Sequence, residues 1–148
     1  DESVAIPLLR CPEFMAYSPT GALDAKGAKQ RFSELMASCE RNGLGKLAVV
    51  VKSSGTIIGY CGIEMCEIEG ARKPELGFRL HANHRGMGYA TEAAAAVLHQ
   101  AEPILSSVIA FAEPANMPSI RILEKLGFRP TGESSFKGVT VVLFSRGM

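Results

Sequence analysis

Arg85-Gly86-Met87-Gly88-Tyr89-Ala90-Thr91-Glu92-Ala93-Ala94-Ala95-Ala96 is the stretch on which the fold turns, because a glycine-rich turn runs straight into a strong helix. Alanine is the best helix former, so Ala93 to Ala96 drive a helix from about Gly88 to Ala101 that closes before Pro103. Glu75 to Leu80 reads as a strand before the turn, and Ser106 to Ala112 reads as a strand after the helix. A helical crossover of roughly 14 residues joins them, so these two strands should be parallel.

The turn has chemical meaning of its own. At a helix start the first backbone N–H groups lack intrahelical partners and point outward along the positive end of the dipole, which suits an anion. Gly86 and Gly88 carry no Cβ to keep a diphosphate from that backbone, and Arg85 adds a fixed positive charge. An ordinary loop before a helix reads the same way, so the turn alone does not decide. No lysine of a Walker loop follows, and the third glycine of a dinucleotide fingerprint is missing, with Glu113 a poor acidic partner.

Working outward, Leu47 to Val51 and Thr56 to Ile63 flank Ser53-Ser54-Gly55 and read as an antiparallel hairpin. Glu67 to Pro74, polar and containing Gly70, reads as a loop leading to the strand at Glu75. Near the N-terminus a short helix is expected between Ser3 and Met15. A longer one is expected from Leu23 to Arg41, with Phe32, Leu35, Met36 and Cys39 at helical spacing and a left-handed stop at Asn42-Gly43. Pro118 to Leu126 reads as a short helix closed by Gly127, and Phe128 to Glu133 with Val139 to Ser145 as a hairpin across Ser134 to Gly138. The expected architecture is one α/β domain over residues 1–148, a mixed sheet with helices on its faces.

Composition bounds the function. A chain of 148 residues, 47% hydrophobic and 21% charged, can bury a full core. Its 16 basic and 15 acidic residues leave a net charge of +1, so no general field recruits nucleic acid or an anionic membrane. Cys11, Cys39, Cys61 and Cys66 form no C-x-x-C pair and have no histidine at ligand spacing, so no metal is expected. No apolar run reaches the roughly 18 residues of a spanning helix, and no signal-peptide pattern opens the chain, so a cytoplasmic location is expected. The first residue is Asp1 rather than Met, as in a processed or trimmed chain.

A second segment, about 30 residues beyond the first, decides the matter: Asn116-Met-Pro-Ser119-Ile-Arg121-Ile-Leu123-Glu124-Lys125-Leu126-Gly127-Phe128. Arg85-x-x-Gly88-x-Ala90 resembles the coenzyme A pyrophosphate signature of the GNAT superfamily of N-acetyltransferases, and the second segment resembles that family's other cofactor-side helix. Glu75-Leu-Gly-Phe-Arg-Leu80 and Ile58-Gly-Tyr-Cys-Gly62 further resemble the branch containing the ribosomal-protein acetyltransferases RimJ and RimL. Packing alone would account for Ile120, Leu123 and Leu126, and an N-cap for Asn116.

The resemblance implies a mostly antiparallel mixed sheet in which one parallel pair, Glu75 to Leu80 and Ser106 to Ala112, splays to admit the pantetheine arm of acetyl-CoA. The backbone of Phe78 and Leu80 would bind that arm, and Arg85, Gly86, Met87, Gly88, Tyr89 and Ala90 the pyrophosphate. Asn116 and Ser119 would face the cofactor, with Lys125 or Arg121 reaching the adenosine phosphate. It also implies direct attack of a neutral amine on the thioester, with Glu75 accepting the amine proton, Glu64 and Glu67 its competitors, and Ser119 assisting the thiolate in place of the tyrosine that many members use. His99 is expected to be structural, and His81 and His84 to position the turn. Pro12 to Tyr17 already resembles the segment after the family's first helix, so the opening strand is expected to be missing, and the edge thereby exposed makes a dimer an expectation. A coenzyme A-binding module without turnover is the alternative.

Overall fold

The computed structural model describes residues 2–42 and 44–148. Two helices come first, α1 (Glu2–Leu9) and α2 (Ala25–Asn42), followed by β1 (Lys46–Val51), β2 (Thr56–Ile68) and β3 (Ala71–Leu80). After a 3-10 turn at Ala82–His84 come α3 (Tyr89–Ala101), β4 (Ser107–Ala112), α4 (Met117–Lys125), β5 (Arg129–Phe136) and β6 (Val139–Gly147). The six strands form one sheet in the order β1-β2-β3-β4-β6-β5. Only β3 and β4 run parallel, joined by the α3 crossover as the helix between them requires.

Several boundaries differ from those expected. The loop read at Glu67 to Pro74 is instead hairpin: β2 runs on to Ile68 and β3 starts at Ala71, across a two-residue turn in which Glu69 and Gly70 have φ of 52° and 73°. Two left-handed residues match the twist of antiparallel strands, and that fixes so tight a connection. Pro74 is tolerated opposite Met65 because β3 joins β4 at a single register pair, Glu75 with Ile109, so few ladder hydrogen bonds are at stake there. The loop read at Ser134 to Gly138 contracts in the same way to Lys137-Gly138, with φ of 49° and 80°. The Asp24 carboxylate, not singled out in the sequence, accepts the Gly27 N–H at 2.7 Å and starts α2. The stop expected at Asn42-Gly43 lies outside the described residues.

Side-chain alternation divides the sheet cleanly. Cys61 and Ile63 on β2, Leu76 on β3, Val108 and Ala110 on β4 point to one face, where Ala94 and Leu98 of α3 and Ile120 and Leu123 of α4 complete the main core. A Schellman closure ends α4, with the Phe128 N–H donating to the Leu123 carbonyl at 3.0 Å, and Phe128 is buried in the same core. On the opposite face, α1 and α2 cover the β1–β2 end through Leu9, Phe14, Met15 and Ala28. Ile68, Ile109 and Leu143 form a separate apolar cluster towards β6. Between these two the second face lies open.

Candidate active site

The opening is a cleft of about 620 Å³ between α2, the parted strands β3 and β4, and the start of α4. Its existence follows from the single β3–β4 register pair: beyond Glu75 and Ile109 the strands separate, and Gly77, Phe78, Phe111 and Ala112 line the gap. Phe78 lines that gap from β3, whose other edge β2 occupies, whereas Leu80 is buried and is not among the lining residues.

The glycine turn stands between the end of β3 and the start of α3, and none of its residues is among those lining the cleft. Gly86 and Gly88 have φ of 77° and 85°, conformations that L side chains rarely adopt, and a Cβ built on either meets nothing within 4 Å. Open space thus adjoins both glycines. Gly88 is the N-cap of α3 and offers no side-chain cap, so the first-turn N–H groups of Tyr89 and Ala90 face outward uncapped. Arg85 does more than the sequence suggested: its Nε donates to the Leu80 carbonyl and a terminal nitrogen to the Glu13 carbonyl, both at 3.1 Å. It clasps the turn to the end of β3 and to the segment after α1. Met87 is exposed beside it. His81 caps the 3-10 turn, its Nδ1 accepting the Asn83 N–H at 3.3 Å, which is a positioning role, and His99 is exposed on α3 against Glu102.

At the start of α4, Asn116 and Ser119 both line the cleft. Asn116 is also the N-cap, its Oδ1 accepting the Ser119 N–H at 3.5 Å. Loss of that cap in Asn116→Ala is expected to cost about 0.5–1 kcal/mol, read as a lower Tm in thermal denaturation. A Tm unchanged alongside a large rise in KM for acetyl-CoA would assign the residue to the cofactor instead. Lys125 and Arg121 are exposed on the outer side of α4, away from the cleft lining.

The floor joins two glutamates that the sequence singled out, Glu64 and Glu75, to two cations that sequence reasoning missed, Lys46 and Arg31. Glu64 and Glu75 face each other across β2 and β3 as register partners. Like charges directly opposed are unfavourable, and here cations separate them. The Lys46 Nζ lies 3.4 Å from Glu64 Oε1 and 3.5 Å from Glu75 Oε2, with the lysine side chain only 5% exposed. Arg31 of α2 grips Glu64 at 2.9 and 3.4 Å. Glu75 thus pairs with Lys46, not with the neighbouring Arg72 or Lys73 that a surface glutamate would have used. Burial by itself would raise the Glu64 carboxyl, but Lys46 and Arg31 outweigh it and hold Glu64 below the ordinary carboxylate range. Burial would likewise lower Lys46, and Glu75 and Glu64 reverse that and raise it, so the ammonium stays charged. Nothing in local sequence marks Lys46 or Arg31, since only strand register and the seating of α2 bring them to the glutamates.

Cys66 also lines the cleft, and burial together with the Glu75 carboxylate pushes its thiol up to about 11. Cys61, buried beneath the floor, is pushed up to about 12, again by burial first. Both are thiols at neutral pH, which removes the basis for a cysteine acyl-enzyme. Tyr60 receives a hydrogen bond from Arg79 Nε at 3.1 Å and stacks edge-on against Phe14. Among the described residues no group of three His, Cys, Asp or Glu could hold a metal ion.

Comparison with known proteins accords with this geometry. The family model described as an acetyltransferase (GNAT) domain matches residues 1–129. An uncharacterized N-acetyltransferase of Bacillus licheniformis is 31% identical over 123 residues, which cover 81% of this chain and 67% of that protein. The crystal structure of a ribosomal-protein-S5-alanine acetyltransferase from Vibrio fischeri superposes with a TM-score of 0.74 at 21% identity, covering 99% of this chain and 89% of that one. An aminoglycoside acetyltransferase in complex with coenzyme A superposes with a TM-score of 0.80 at 15% identity, over 99% and 89% of the two chains. At such identities the two structures speak for the fold alone. The chain belongs to the GNAT family of acetyltransferases, and with it to the acyl-CoA-dependent acyltransferases.

Proposed function

We propose that this GNAT acetyltransferase transfers acetyl from acetyl-CoA to a primary amine held in the cleft over Glu75. The observation that carries the reading is one of position: Glu75 stands at the single point where β3 and β4 still pair, with the parted strands on one side of it and the charged floor on the other. The residues present fit the cofactor. The open backbone at Gly86 and Gly88 and the uncapped N-terminus of α3 would hold its pyrophosphate, and the β3 backbone at Phe78 and Leu80 its pantetheine amides, with the Leu80 carbonyl already held by Arg85. When bound, it supplies an acetyl group activated as a thioester.

The chain's own groups do the rest. Glu75 uses Oε2 on Lys46, and among the described residues no partner engages Oε1, whereas Glu64 commits both oxygens to Arg31 and Lys46. Glu75 is accordingly the better proton acceptor for an ammonium substrate, directly or through water. Ser119, at the first turn of α4 and on the cleft wall, would hydrogen-bond the leaving sulfur. Lys125 or Arg121 would reach the adenosine phosphate from the outer side of α4. The RimJ/RimL-like branch assignment rests on the Glu75 to Leu80 and Ile58 to Gly62 motifs, with the Vibrio fischeri enzyme among the structural neighbours. A cytoplasmic location suits an acetyl-CoA user, and no described helix is long and apolar enough to cross a membrane.

The deciding experiment offers acetyl-CoA with a panel of amines, namely alanine-terminated peptides, polyamines and aminoglycosides, and follows thiol release and the acetylated product by mass. Release with at least one amine class is expected. Binding of acetyl-CoA without release across the panel would leave a coenzyme A-binding module, and preference for ATP with magnesium would remove the reading altogether. The outer edge of β1, where Leu47 and Val50 are exposed, is where a second subunit would pair, and a monomeric mass at micromolar concentration would count against that dimer.

A further inference from the structure

Three glycine-related facts converge on one lysine. Lys46 on β1 is the register partner of Gly62 on β2, and Gly62 is the register partner of Gly77 on β3, so the three lie in one row across the sheet. The lysine side chain runs along that row, its Nζ donating to the Gly62 carbonyl at 3.2 Å. A Cβ at Gly77 would sit 2.8 Å from Nζ, 3.1 Å from Cε and 3.1 Å from Glu75 Oε1, tighter than ordinary packing. The missing side chain at position 77 is therefore the space that the ammonium occupies.

Such a track is costly to build. Glycine weakens a strand, and a buried ion pair is often no more stable than apolar residues of the same size. The arrangement does, however, solve a specific problem. Two carboxylates opposed across neighbouring strands repel, and without a cation between them one would take up a proton or turn away. We infer that Lys46 is the positioning residue of this cleft: laid across Gly62 and Gly77, its ammonium spans the opposed carboxylates of Glu64 and Glu75 and fixes Glu75 at the point where β3 and β4 part. The inference rests on Glu75 as the proton acceptor for its consequence in turnover, and on geometry alone for the placement. Other charged or titratable groups on this face are Arg31 and Glu34 from α2, Tyr60, Cys66 and Glu67 from β2, Lys73 and Arg79 from β3, and Lys137 at the β5–β6 turn. Of these, Arg31 reaches Glu64, and among the described residues Lys46 alone pairs with both carboxylates.

The test is Lys46→Met in the full chain, which keeps length and removes charge. Carboxyl NMR titration should show Glu64 titrating at higher pH than in the parent, because Lys46 is the first of the cations that lower it. With whichever alanine-terminated peptide or polyamine the amine panel shows to turn over, the acid limb of kcat should move up by about one pH unit. Turnover below the limb then falls roughly tenfold and recovers as pH rises. KM for acetyl-CoA should stay near the parent value. Adding Glu64→Gln should draw the limb back down by removing the opposed charge, a rescue that a merely structural lysine would not show. Should Lys46→Met fail to fold, Lys46→Gln removes the charge while keeping a polar group for the Gly62 carbonyl and should move the same limb. An unmoved Glu64 titration and an unmoved limb in the folded variant would overturn the inference. A Glu64 titration that moves while Glu75→Gln retains full turnover would uphold the lysine and remove Glu75 as the acceptor.

Discussion

Gly88→Val is expected to raise KM for acetyl-CoA by roughly 100-fold or more. Two terms act together. Position 88 has φ of 85°, and a β-branched residue forced there costs about 1–3 kcal/mol, so the turn relaxes away from its present shape. The valine methyls also project into the open space that now adjoins the backbone, where an anion would need the first N–H groups of α3. Hydrogen bonds to a charged group are worth about 1.5–3 kcal/mol each, and each 1.4 kcal/mol is a factor of ten, so losing one alongside the strain accounts for two orders of magnitude. Calorimetric titration of acetyl-CoA into folded protein measures it. Gly88→Ala, with the same strain and less bulk, should fall between. Affinity unchanged in Gly88→Val would take away the cofactor reading on which the proposed function stands.

Glu75→Gln is expected to lower kcat by about 10²–10³-fold, the usual worth of a positioned general base, while leaving KM for acetyl-CoA within about threefold. The amide keeps the shape of the side chain and can still face Lys46 at the vertex of the parted strands. What it cannot do is accept a proton, so the acid limb of the pH profile should disappear with the rate. Glu64→Gln provides the contrast. It deprives Arg31 and Lys46 of a partner they hold at 2.9 to 3.4 Å, and leaving such cations uncompensated should show first as lost stability. If kcat fell more in Glu64→Gln than in Glu75→Gln, measured on folded protein, the two glutamates would exchange roles.

The acceptor amine is a separate matter from the cofactor half. Structural neighbours with the same fold are described as acting on a ribosomal-protein alanine in one case and as an aminoglycoside acetyltransferase in another. A shared sheet therefore leaves the acceptor open, and the residues that would choose it stand on α2 and around the cleft mouth, outside the two motifs.

Read from residues alone, the glycine turn at Arg85 to Ala90, the alanine-driven α3, the parallel relation of β3 and β4 and the Asn116 to Phe128 helix were all legible, because each rests on local chemistry within one or two turns of chain. So was Glu75 as a residue to watch. The lengths of the two hairpins were misread, because the polar strand ends from Glu67 to Pro74 and from Ser134 to Phe136 carry no apolar alternation. It is a two-residue left-handed turn that holds each hairpin together. Other features arise only when the chain is folded. The gap opens because β3 and β4 pair once and then diverge. The charged floor assembles because strand register lays Lys46 across Gly62 and Gly77 and sets Glu64 opposite Glu75. Arg31 reaches Glu64 from a helix 33 residues earlier in the chain. Local sequence could announce where an anion would sit, since a turn and a helix start are local objects. Which cation steadies which carboxylate is a property of neighbours in space, and it was decided by the register of the sheet.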